Sequence, residues 1–132
     1  MAYLIFFKQS GIMADKIRLL DGGPYSHVGL VRFAGLSLLD STPYGGVGTV
    51  PMFHRLRESE SATVRVLDME PVVSPDSLIG IQYDHAWMHG KTALRPHRLH
   101  CATLIGHVFG IAGPRHPDLS LSEIYQLTQP AL

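Results

Sequence analysis

Between residues 26 and 33, His27, Gly29 and Val31 alternate with Val28, Leu30 and Arg32. This two-residue period puts the two sets on opposite faces of a strand. Ala34-Gly35 permits a tight return into residues 36–41, so the two segments read as a hairpin. Upstream, residues 2–8 are aromatic and β-branched enough for a strand ended by Ser10-Gly11. Residues 12–20 carry Met13, Ile17 and Leu20 at helical spacing, and Gly22-Gly23-Pro24 supplies the stop. Downstream, the glycine-rich run 43–48 lacks the Gly-Lys-Ser/Thr ending of a phosphate cradle, so it reads as a turn into a strand at 47–52. Residues 53–58 read as a polar connection or short helix, and 62–69 as a further strand with Val64 and Val66.

From Pro75 the period lengthens. Leu78, Ile79, Tyr83, Ala86 and Trp87 suit a helix with Ser74 as cap and Pro75 in its first turn. A basic, proline-containing loop at 91–98 leads into 99–109, where Leu104, Ile105, Val108 and Phe109 form an apolar stripe closed by Gly110 and Gly113-Pro114. Ser120-Leu121-Ser122-Glu123 has capping-box spacing and opens a last short helix through Leu127. The pattern therefore predicts one α+β domain over residues 1–132, with an antiparallel sheet of about five strands packed against helices.

Composition narrows the function classes. The 132 residues are 45% apolar, enough for one core, and 11 Lys plus Arg balance 11 Asp plus Glu, so no basic footprint for nucleic acid is present. No apolar run approaches the ~20 residues of a bilayer span. The opening apolar run has neither a basic region before it nor a small-residue cleavage site after it, so it does not read as a signal peptide, and the expected location is the cytoplasm where the chain is made. With one cysteine there is no internal disulfide, so Cys101 is either a buried spacer or a reactive thiol.

Both readings of Cys101 have physical support. Cys101, Leu104, Ile105 and Val108 share one helix face, as a core residue would. A thiol in a helix's first turn also meets unpaired backbone N–H groups, whose partial positive charge favours thiolate. A nucleophilic thiol needs a base, and His27 stands in an otherwise apolar strand; Gly29, two residues on, promises open space beside the imidazole. His27 also fits a core histidine satisfied by a backbone carbonyl. Asp40 ends the strand expected to return beside His27 and would accept the ring's other N–H, although a turn carboxylate near Ser41-Thr42-Pro43 is equally at home there.

Residues 24–31 (Pro-Tyr-Ser-His-Val-Gly-Leu-Val), 38–43 (Leu-Leu-Asp-Ser-Thr-Pro) before a Gly-Gly-Val turn, Tyr83-Asp84, and 100–105 (His-Cys-Ala-Thr-Leu-Ile) occur in an order that resembles the circularly permuted NlpC-like papain-fold hydrolases of the YiiX type. The resemblance implies a papain-like fold with the nucleophile helix near the C-terminus. It also implies His27 as base, Asp40 as orienting residue and Cys101 as nucleophile. The implied activity is that of a cysteine peptidase or amidase that needs no cofactor. Its partner would be a peptide or amide, such as a peptidoglycan stem peptide or a protein or isopeptide bond. Tyr25 and Tyr83 are candidates for a second oxyanion donor or a substrate wall.

Three rivals stand beside this reading. His85 and His89 are four apart in the expected helix and could form a zinc site with His97, His100 or Cys101, but the Glu that a zinc protease carries after its first histidine is Ala86 here. Relatives of lecithin:retinol acyltransferase use a thiol on lipid esters with a related His-then-Cys order, so a lipid acyl hydrolase or acyltransferase is a second. A catalytically silent module that keeps the groove is the third.

Overall fold

The computed structural model describes residues 1–32, 36–84, 100–111 and 119–131. They form a mixed α+β fold around one six-stranded antiparallel sheet of order β4-β3-β2-β1-β5-β6. The strands are β1 (Ala2–Gln9), β2 (His27–Arg32), β3 (Ser37–Thr42), β4 (Gly46–Pro51), β5 (Ser59–Leu67) and β6 (Gln129–Pro130). The helices are α1 (Ile12–Asp21), α2 (Met52–Arg57), α3 (Cys101–Phe109) and α4 (Leu121–Leu127). None of the described helices is long and apolar enough to cross a membrane.

Central β1 explains why its sequence runs Leu-Ile-Phe-Phe without alternation: Leu4 to Phe7 are all buried, because both faces of the sheet are covered. Leu4 and Phe6 join Val28, Leu30 and Leu39 in the larger core, against Ile17 of α1, Leu104, Ile105 and Val108 of α3, and Ile124 of α4. Ile5, Phe7 and Leu38 face the other way, against Val50, Met52 and Ala62. The hairpin of β2 and β3 pairs Leu30 with Leu39, and the capping box opening α4 forms as spaced, with Ser120 Oγ accepting from the Glu123 N–H at 3.1 Å and Glu123 Oε1 accepting from the Ser120 N–H at 3.2 Å.

Three expectations are corrected. The sheet has six strands where the pattern gives about five, because Gln129 and Pro130 pair with Val66 and Arg65. The helix expected from Pro75 is a single 3-10 turn, Pro75–Leu78, with no side-chain cap from Ser74. Ile79 is already extended and Gly80 has φ +98°, because the backbone there bonds to β4 instead: Gly80 N–H donates to Val47 O at 2.9 Å, and Val47 N–H donates to Ile81 O at 2.8 Å. Gly46 must be glycine for this, since a Cβ would fall 2.4 Å from the Ile81 oxygen and its φ is +66°. Third, the space beside His27 that Gly29 promised is filled by Leu38, whose side-chain carbons would lie 2.5 to 2.8 Å from a Cβ at position 29. The expected continuation through Ala86 and Trp87, the loop at 91–98 and the Gly113-Pro114 stop lie outside the described residues.

Candidate active site

A cleft of about 460 Å³ opens at the end of the sheet where β1 and β3 finish and β2 begins. The α1 residues Met13, Ala14 and Ile17 make an apolar wall, while Ser26, His27, Ser41, Arg55 and Cys101 bring polar chemistry. Cys101 is the first residue of α3, a helix that starts there because the Thr103 hydroxyl accepts from the His100 N–H at 3.0 Å and donates back to the His100 carbonyl at 3.2 Å. Its thiol is 2% exposed and belongs to the larger core as well as lining the cleft, so the spacer and nucleophile readings describe the same placement.

His27 is the first residue of β2 and pairs with Phe7, the two rings lying 5.8 Å apart. Its Nε2 is 2.7 Å from Asp40 Oδ2. Cys101 lines the same cleft and is close enough to the ring to favour its protonated form. Burial would strip the imidazole of its proton, but the Asp40 carboxylate outweighs burial and Cys101 adds to it, so the His27 pKa is raised to about 10. The carboxylate thus favours the imidazolium form of the ring. Asp40 shows the converse balance: burial pushes its pKa up, but His27 and then Arg55 hold it below the ordinary carboxylate range.

The role of Arg55 was not legible in the sequence, where residues 53–58 read only as a polar connection or short helix, the latter being what forms. From α2 its Nε donates to Asp40 Oδ2 at 2.7 Å and its Nη2 to Oδ1 at 3.4 Å, while Nη1 reaches Glu58 at 3.4 Å. Alternation supplied a partial signal: Asp40 shares a sheet face with Leu38, the face that Met52 of the same helix packs against. A buried carboxylate on that face needs a cation from whatever covers it.

The three residues expected to act together, His27, Asp40 and Cys101, are brought together. The tyrosines divide. Tyr83 is buried and lines the cleft. Tyr25 instead donates its hydroxyl to Thr63 Oγ1 at 2.9 Å and packs its ring against Phe6 and Tyr125, so that hydroxyl is used elsewhere. His100 is buried and its pKa is lowered by burial to about 3, so it stays neutral beside the thiol. His85, His89 and His97 lie outside the described residues, and no group of three His, Cys, Asp or Glu side chains fit to hold a metal occurs among the described residues.

No protein-family profile matches the chain, and no curated protein matches it. Among solved structures, the metalloprotein YiiX of Escherichia coli O157:H7 is similar, with a TM-score of 0.61 at 18% sequence identity over 83% of this chain. The match spans 66% of that longer protein. The chain has a YiiX-like fold.

Proposed function

We propose that the protein is a cysteine hydrolase with a papain-like site, cleaving an amide bond through a thiol acyl-enzyme. The observation that supports this reading is the convergence of three residues from β2, β3 and α3, with a buried imidazole held between a carboxylate and the chain's single cysteine.

In this reading Cys101 Sγ, its proton on His27, attacks the substrate carbonyl to form a C–S bond. The oxyanion that develops is met by the Cys101 backbone N–H, one of the donors that the first turn of a helix leaves without an intrahelical acceptor. His27 then passes its proton to the leaving nitrogen as the C–N bond breaks. Water, deprotonated by the neutral imidazole, attacks the thioester; the C–S bond breaks, Cys101 is regenerated as the thiolate beside the reprotonated His27, and the acid product departs. Asp40 keeps the ring oriented throughout. The apolar wall of Met13, Ala14 and Ile17 suits an apolar acyl portion, which keeps the lipid-ester reading as the second one.

YiiX is described as a metalloprotein. The site here does not suit a cation, because both Asp40 oxygens accept from Arg55 and Oδ2 also meets His27. No step is routed through a metal.

The test is the rate at which Cys101 is alkylated by iodoacetamide across about pH 4 to 9, in the wild type and in His27→Ala, followed by matched amide and ester substrates. Rapid alkylation below neutrality that collapses in His27→Ala is the expected result. A thiol that titrates near about 8.5 in both proteins would overturn the assignment.

A further inference from the structure

The hydrolase reading uses the bond between Asp40 and His27 and leaves a second set of bonds to the same carboxylate unexplained. There Arg55 approaches with two donors on two different oxygens, and it does so from α2, a helix with no buried residue. A carboxylate held through one oxygen can rotate about its terminal torsion, whereas one gripped at both oxygens by a planar fork is fixed in the plane of that fork. Oδ2 carries the decisive geometry: it meets Arg55 Nε and His27 Nε2, each at 2.7 Å.

We propose that Arg55 is a positioning residue of the site, its two-point grip aiming Asp40 at His27 and setting how far into acid the thiol stays activated. The proposal rests on the cysteine-hydrolase reading.

The charged groups around Asp40 make the sign of the effect unambiguous. His27 faces it from β2 and Arg55 from α2; Glu58, just past α2, shares the guanidinium; Cys101 lies beyond His27 at the start of α3. Removing the guanidinium takes away one of the two cations that keep Asp40 ionised, so Asp40 protonates at higher pH and releases His27 sooner. It also removes positive charge from the neighbourhood of the thiolate. Both changes move the acid limb of thiol reactivity upward. An adjacent cation lowers a carboxylate by about 1 to 3 units. Because Glu58 divides the guanidinium and Arg55 is partly in contact with solvent, the lower end applies, an upward shift of about one pH unit.

The experiment measures iodoacetamide alkylation of the full chain across about pH 4 to 9 for wild type, His27→Ala, Arg55→Gln and Arg55→Lys, with urea unfolding of each. The expected result is an acid limb about one unit higher in Arg55→Gln. Arg55→Lys should restore the limb, because it keeps the charge, but lower the plateau rate several-fold, because an ammonium cannot grip both oxygens. An Arg55→Gln profile that overlays the wild type, while His27→Ala collapses, overturns the proposal and leaves the hydrolase reading standing. A His27→Ala profile equal to wild type removes the hydrolase reading itself. Should Arg55→Gln fail to fold, Arg55→Lys decides alone: a plateau equal to the wild type refutes the two-point grip.

Discussion

Replacing Gly29 with alanine tests the packing that holds β2 and β3 in place behind the site. The added methyl would sit 2.5, 2.6 and 2.8 Å from three carbons of Leu38, a side chain that is 0% exposed and enclosed by Ile5, Phe7 and its neighbours. Overpacking of this kind costs about 1 to 3 kcal/mol. Alanine recovers roughly 0.5 to 1 kcal/mol of the strand penalty that glycine carries. The balance runs from about 0 to 2.5 kcal/mol, centred a little above 1 kcal/mol, or a fall in Tm of about 5 °C for a chain of this size. Leu38→Ala by itself should cost about 2 to 5 kcal/mol, because it leaves a cavity. In the Leu38→Ala background, however, the methyl at position 29 enters the emptied space, and its cost should vanish or change sign. Urea unfolding of the four proteins closes the cycle, with an expected coupling of at least about 1 kcal/mol. Equal costs for Gly29→Ala in the two backgrounds would refute the argument that Leu38 occupies the space that glycine leaves.

Stability should also follow pH with a sign fixed by the buried pair. The folded pKa of His27 is raised from 6.5 to about 10, so its contribution is complete below pH 6.5 and is lost as pH rises through 10; Asp40 is lowered, so its contribution is complete above its unfolded value and is lost in acid. His100, lowered from 6.5 to about 3, works the other way and costs stability as pH falls below 6.5, so urea midpoints should peak at about pH 6.5 and fall toward both acid and pH 9; a midpoint at pH 9 equal to that at pH 6.5 would contradict the charged pair. Tyr25→Phe should leave Cys101 alkylation unchanged and cost about 1 kcal/mol of stability, since it removes only the bond to Thr63. A loss of thiol reactivity in that variant would return Tyr25 to the site.

Much of the fold was legible wherever one local signal acted alone. The alternation of residues 27–32, the stops at Gly22 and Gly110, and the Ser120–Glu123 capping box each describe short-range physics, and each appears as expected. The residues after Leu78 misled because their apolar spacing competes with something no local pattern records, the backbone bonds that Val47 offers to Gly80 and Ile81. The two residues of β6 are too few to carry a period. At the site, the placement of His27 next to Asp40 follows from a hairpin, so the sequence could anticipate it. Cys101 joins them through tertiary packing; its first-turn position marked it as a candidate thiol, and the resemblance to a known order of residues strengthened its pairing with His27. Arg55 gave only the indirect hint of Asp40's sheet face, because its partner lies 15 positions away on another element and its neighbours look like any solvated helix.

Eight of the nine residues of α3 are buried, Cys101 among them. Many enzymes mount their reactive groups on loops that open and close on their own, so that activity can be lost or regained with the scaffold intact. The thiol proposed here as nucleophile instead belongs to a helix that cannot detach without opening the core. Fraying at the rim of the molecule leaves the thiol's surroundings untouched, whereas an opening that disturbs the thiol exposes Leu104, Ile105 and Val108 with it. For the hydrolase proposed above, heat inactivation and global unfolding would therefore be one event, and the lifetime of the native core would set the lifetime of the thiol's environment.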